Sequence, residues 1–140
     1  LDDVDMFIVN ESEAALLANA APGTAPATLL EHLHLRFPSA DLVVTAGERG
    51  TIAFLGGAEY VQEAFPVKTV DTTGAGDTFC ASSLNYVLEH GLDNLTEENL
   101  KELLTFANAA ASLITTRKGA LRVMSTKEEV LDFMKSRGVN

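Results

Sequence analysis

The sequence is short of positive charge. Ten Lys and Arg stand against twenty Asp and Glu, for a formal net charge of −10. That balance repels a phosphate backbone, so a nucleic-acid partner is not expected. A single nucleotide stays open, because a local ring of backbone N–H groups and a metal ion can outweigh the global field. Cysteine is almost missing. Cys80 alone rules out an internal disulfide, and in its apolar helical stretch it reads as a buried small hydrophobe in a reducing compartment. Long apolar runs are missing as well. None approaches the roughly 18 residues that span a bilayer, and no charged-then-apolar leader opens the chain. A cytoplasmic protein without a membrane partner is therefore expected. His32, His34 and His90 lack any metal-site spacing and are expected at helix ends or facing solvent. There is no internal repeat, low-complexity tract or linker.

What remains is ordinary globular material. The 140 residues are 46% hydrophobic and 21% charged, enough for one soluble domain with a sizeable core. The chain opens at Leu1 rather than Met and runs almost at once into Val4-Asp5-Met6-Phe7-Ile8-Val9. So abrupt a strand start predicts that this is part of a larger protein, or a processed product of one.

Periodicity supplies the elements. Met6 to Val9 reads as a buried strand, and the Ala14–Leu17 stretch after it as a helix that Asn10 or Ser12 can cap. Leu29, Leu30, Leu33 and Phe37 form a helical stripe that Pro38 ends. Residues 41–45 read as a second buried strand, and Gly47 and Gly50 bracket a tight turn into residues 51–55. Gly56-Gly57 signals a β-hairpin into residues 59–62. Residues 66–70 are extended. A helix is expected from Ala75 to Leu88, ending near Gly91, and another from Thr96 through Leu100, Leu103, Leu104 and Ala107 to Ile114. The turn Thr116–Gly119 closes it, and Ser125 to Glu129 opens a last amphipathic helix. Strands alternating with helices predict an α/β fold, a mostly parallel sheet flanked by helices with one β-hairpin. Ligands in such sheets sit beyond the carboxyl ends of the strands, where residues 10–13, 45–50 and 71–77 all fall.

The segment Asp71-Thr72-Thr73-Gly74-Ala75-Gly76-Asp77 carries the sharpest chemistry. Gly74 and Gly76 let backbone approach a ligand closely, and Ala75 adds almost nothing between them. A helix starting here aims unpaired N–H groups and its dipole at one spot, which suits an anion. Asp77 falls in the first turn, where it can take a proton from a hydroxyl nucleophile. The same residues read equally well as a Gly-rich helix start with a favourable first-turn charge.

Asp-Thr-Thr-Gly-Ala-Gly-Asp-Thr-Phe, residues 71–79, resembles the C-terminal signature of the ribokinase-like sugar kinases, the PfkB family. The resemblance implies that Asp77 is the general base and that the amides of Gly74, Ala75 and Gly76 form the anion hole. Asn10-Glu11-Ser12-Glu13 is similar to the family's Asn-x-x-Glu element, which implies Mg2+ and phosphates held by Asn10 and Glu13, Glu13 acting largely through water. Read alone it is a helix cap with first-turn acids. Thr45-Ala46-Gly47-Glu48-Arg49-Gly50 matches a Thr-x-Gly-x-x-Gly turn, implying Thr45, Gly47 and Gly50 against the nucleotide. Residues 106–111 resemble the helix that walls the adenine pocket, with Asn108 as donor and acceptor. Residues 116–120 match a turn that in K+-activated members lies beside the anion hole. The implied K+ ligands are Asp71 with main-chain oxygens near Thr73, Ile114, Arg117 and Gly119, whereas Val123 stands where a hydroxyl sometimes contributes. Arg117 and Lys118, at a helix C-terminus, are expected to offset the dipole.

These segments stand in the family's order through essentially the whole chain. The resemblance therefore implies the C-terminal, nucleotide-binding and catalytic half of a ribokinase-like kinase over residues 1–140, without the N-terminal substrate and lid half. It implies an ATP-dependent sugar kinase, with fructose or ribose as acceptor, Mg2+ and K+ as cofactors, and a full-length homodimer. A nucleoside kinase of the same fold and a non-catalytic nucleotide-binding fragment are the alternatives.

Overall fold

In the computed structural model, which describes residues 3–119 and 124–139, the alternation read from the sequence becomes two compact units, Leu1–Glu63 and Ala64–Asn140. Length alone predicts one domain, yet each unit has an apolar cluster of its own.

The first unit is a four-stranded sheet with two helices. Strands β1 (Met6–Asn10), β2 (Asp41–Thr45), β3 (Thr51–Leu55) and β4 (Ala58–Gln62) lie side by side in that order. Leu42, Val43 and Val44 of β2 are all buried. Successive side chains point to opposite faces, so β2 is covered on both. Helices α1 (Glu11–Leu17) and α2 (Pro26–Arg36) bring Ala14, Ala15, Leu29, Leu30 and Leu33 onto Phe7, Leu42 and Val44. The Phe7 and Phe37 rings meet with centroids 4.7 Å apart. Removing Leu42 or Leu33 to Ala at these fully buried positions costs about 2–5 kcal/mol.

The expected mostly parallel sheet is corrected here. Only β1 and β2 run parallel, while β2–β3 and β3–β4 are antiparallel. Parallel neighbours need a crossover of a dozen or more residues. The stretch holding α1 and α2 supplies one between β1 and β2. Only the single 3-10 turn Gly47–Arg49 separates β2 from β3, and Gly56-Gly57 separates β3 from β4. Both connections must reverse the chain. The parallel register sets Asn10 opposite Thr45, so the chain leaves β1 and β2 at the same end.

The second unit is helical: α3 (Ala75–His90), α4 (Glu97–Ile114) and α5 (Lys127–Ser136). Gly91, at φ 81°, ends α3 in a conformation that other residues avoid, and its N–H reaches the Val87 carbonyl at 2.8 Å. Thr96 and Asn99 form a reciprocal cap at the start of α4, as Thr126 and Glu129 do for α5. The apolar stripe of α4 buries Leu100, Leu103, Leu104 and Ala107. Ala109 and Ala110 meet Phe65, Val130 and Met134, with the Phe65 and Phe133 rings 5.5 Å apart. Tyr86 of α3 donates to Glu102 of α4 at 2.6 Å. Cys80 is half-buried rather than buried as its apolar stretch predicts. Among the described residues no helix is long and apolar enough to cross a membrane.

Candidate active site

In the first unit, β1 runs straight into α1 through Asn10. Its Oδ1 accepts the Glu13 amide at 2.9 Å, and the Glu13 Oε2 accepts the Asn10 amide at 2.9 Å. The Asn-x-x-Glu pair is thus a complete capping box, the local reading of those residues. Each side chain keeps a further polar atom for a ligand, the Nδ2 of Asn10 and the Oε1 of Glu13, and both residues are exposed. Thr45, register partner of Asn10, makes a long 3.4 Å bond from its hydroxyl to the Val9 carbonyl. Beyond it the chain turns through Gly47 at φ 56° and Gly50 at φ 87°, both in the region where a side chain is strained. A Cβ at Gly47 would meet nothing within 4 Å, so the surface there is open. The turn is closed by Ala46 N–H to Gly50 O at 2.8 Å and Gly50 N–H to Gly47 O at 3.0 Å. The Arg49 guanidinium pairs with the Glu11 carboxylate, tying the turn to the start of α1.

In the second unit the glycine loop opens α3. Gly74 is the N-cap at φ 83°, a left-handed conformation, and it supplies no side-chain acceptor. The anion-hole expectation needs one adjustment. The Ala75 amide already donates to the Thr72 carbonyl at 3.2 Å, while the Thr78 amide begins the helical ladder to Gly74 O at 2.9 Å. The first-turn amides of Gly76 and Asp77, which no capping side chain serves, are therefore the better-placed donors. A Cβ on Gly76 would meet nothing within 4 Å, and the Asp77 side chain is exposed in the same turn. The spot offers what an anion with a nearby proton acceptor requires.

Behind the loop, the Thr115 carbonyl takes both the Val70 amide at 2.7 Å and the Asp71 amide at 3.1 Å. Asp71 Oδ1 accepts the Thr73 amide at 2.9 Å. Hydrogen bonds from the Thr73 hydroxyl and amide, then the Gly119 amide and the Lys118 charge, hold the Asp71 carboxyl below its usual range. Thr73 and Gly119 thus meet Asp71 as hydrogen-bond donors to its carboxylate. Ile114 O is already engaged by the Arg117 amide at 3.1 Å. The Arg117 side chain pairs with Glu129 at 2.9 Å, so its charge serves the start of α5. Asn108 is buried, its amide donating to Leu104 O at 2.8 Å within α4. Ala120 and Val123 lie outside the described residues.

Among the described residues no cluster of three or more His, Cys, Asp or Glu can cage a metal. A divalent ion here would keep most of its water and take few protein oxygens, which suits Mg2+ and the exposed Glu13 carboxylate.

Residues 1–127 match the pfkB family carbohydrate kinases. The chain belongs to that family. It is 36% identical over 135 residues to the "Probable fructokinase-2" of Arabidopsis thaliana, covering 96% of this chain and 40% of that protein. Its fold superposes on Arabidopsis thaliana ribokinase, solved with ribose and ATP, with a TM-score of 0.80, 31% identity and coverage of 96% and 42%. A candidate ribokinase II of Escherichia coli in complex with ATP and Mg2+ gives a TM-score of 0.70 at 27% identity, over 94% and 39%. The chain thus spans about two fifths of these pfkB-family relatives.

Proposed function

We propose that the chain is the nucleotide-binding and phosphoryl-transfer portion of an ATP-dependent sugar kinase, with fructose or ribose as the acceptor. The observation that carries this reading is the start of α3. There a left-handed Gly74 leaves first-turn amides without a side-chain cap, and a carboxylate stands exposed in that turn. Bound Mg-ATP supplies the phosphoryl group and the cation that spreads its charge. Asp77 accepts the proton of the acceptor hydroxyl, which raises the nucleophilicity of that oxygen. The Gly76 and Asp77 amides stabilise negative charge that develops beside them, with Gly74 and Ala75 shaping the turn. Asn10, Glu13, Thr45, Gly47 and Gly50 would bind the nucleotide, Glu13 acting on Mg2+ through water, whereas Asn108 lies buried with its side-chain amide committed within α4. Asp71, with main-chain oxygens of Thr73, Ile114, Arg117 and Gly119, would hold K+, although the Ile114 oxygen already accepts the Arg117 amide.

Support comes from the family, from relatives named fructokinase, and from a ribokinase solved with ribose and ATP. A second reading is a nucleotide-binding module without turnover. Label transfer from γ-labelled ATP separates the two, run on the 140-residue chain and on the full-length protein with fructose, ribose and adenosine. Transfer to a sugar by the full-length protein is expected. Transfer to adenosine alone would replace sugar by nucleoside, and nucleotide binding with no transfer by either form would leave only the module.

A further inference from the structure

The two loops that leave β1 and β2 at the same end are built unequally. The first locks itself, because Asn10 and Glu13 exchange two side-chain-to-backbone bonds. The second has two glycines at positive φ, and only short backbone bonds hold its shape. Glycine loses the most freedom on ordering, so this turn is the softer of the pair. One side chain reaches out of it. Arg49 crosses to Glu11, the first residue of α1, and thereby fastens the soft loop to the locked one.

The pair is exposed, at 65% for the Arg49 side chain and 34% for Glu11. Such pairs add little to stability, so stability does not explain it. Glu11 needs no partner either, because the helix dipole already favours a carboxylate at that position. Charge gives the better reason. Residues 10–13 and 45–50 carry Glu11, Glu13 and Glu48, and Arg49 is their only cation. Without it this end of the sheet presents unrelieved negative charge to anything anionic.

We propose that Glu11 and Arg49 are positioning residues: their ion pair sets the Gly47–Gly50 turn against the start of α1 and offsets the acidic charge there, so that a nucleoside polyphosphate can approach. The proposal deepens the nucleotide reading and rests on it for its binding arm alone.

Amide hydrogen exchange on the ligand-free chain reads the positioning directly. Arg49→Ala and Glu11→Gln should each raise exchange at Ala46 and Gly50, whose amides are bonded within the turn, by about three- to tenfold, with the double variant no worse than either single one. Arg49→Lys should retain most of the protection. Exchanging the charges (Glu11→Arg with Arg49→Glu) should recover part of it, which loss of a merely structural side chain would not. Mg-ATP affinity, measured by calorimetry on the same variants, should fall in the same non-additive pattern by about three- to tenfold, at unchanged Tm. Unchanged exchange in both single variants, or additive losses in the double, would overturn the clamp. A wild-type chain that binds no Mg-ATP would defeat the nucleotide reading instead, and the exchange result would still decide the clamp.

Discussion

Helices α1 and α3 both begin in segments that resemble family motifs, yet they begin in opposite ways. At α1 two of the amides, those of Asn10 and Glu13, are met by the chain's own side chains. Helices α4 and α5 start with the same reciprocal device, and α2 starts on Pro26, which has no N–H to satisfy. At α3 the cap is Gly74, which has no side chain to offer. The difference teaches where to look for a ligand. A closed start has two of its donors satisfied from within, whereas the open, uncapped start of α3, a helix of 16 residues, leaves more of them and the dipole for an outside group.

The comparison can be broken most decisively at Asp77. Asp77→Asn should lower phosphoryl transfer by the full-length protein by about 10³-fold while nucleotide affinity holds, as steady-state rates and calorimetry will show. Near-normal turnover would reduce Asp77 to an ordinary first-turn acid, and α3 would then resemble α1. Next come the glycines. Gly74→Ala forces a side chain into φ 83° and should cost about 1–2 kcal/mol in denaturant unfolding. Gly76→Ala meets open space at an ordinary helical φ, so it should stabilise by about 0.5–1 kcal/mol. The same Cβ occupies the approach to the amides, and Mg-ATP should bind roughly tenfold more weakly. Stabilisation with unweakened binding would show that the open start takes no ligand. At the closed start, Asn10→Ala should cost about 1 kcal/mol of stability, read from the unfolding midpoint, because a real capping bond is lost.

The smallest effect lies at the far end of α3, which is anchored where its start is open. Burial first, then the bond to Glu102, pushes the Tyr86 hydroxyl up to about 12. The raised value favours the neutral phenol in the folded chain. Its stabilising share is complete below the ordinary value near 10 and is lost as pH rises through about 12. An absorbance titration of tyrosinate, differenced against Tyr86→Phe, should show that midpoint, and Glu102→Gln should lower it. A Tyr86 midpoint near 10 would mean that the α3–α4 anchor is loose.

Most elements were legible because their signals are local. Leu100, Leu103, Leu104 and Ala107 announce α4 by spacing, Gly91 announces the end of α3, and Thr126 announces α5. Sheet direction was harder, because it depends on how long a connection is once its turn residues are assigned. Reading residues 45–50 as a tight turn already implied an antiparallel β3, and the alternating strand–helix pattern hid it. The candidate site was legible as motifs but not as bonds. Asn10 and Glu13 carry the same letters whether they cap or bind, and the Ala75 amide is engaged by a carbonyl that no motif specifies. Glu11 and Arg49 escaped notice because they lie 38 residues apart and meet only through the β1–β2 register.

The open start of α3 also bears on how the protein should be handled. An anion bound there would finish the helix from outside, and whatever binds only the folded chain shifts the folding equilibrium by mass action. At a hundred times its dissociation constant such a ligand adds about 2.7 kcal/mol, a large fraction of the few kcal/mol that keep a domain folded. Purification in the presence of Mg-ATP should then do for α3 what Asn10 does for α1 inside the chain.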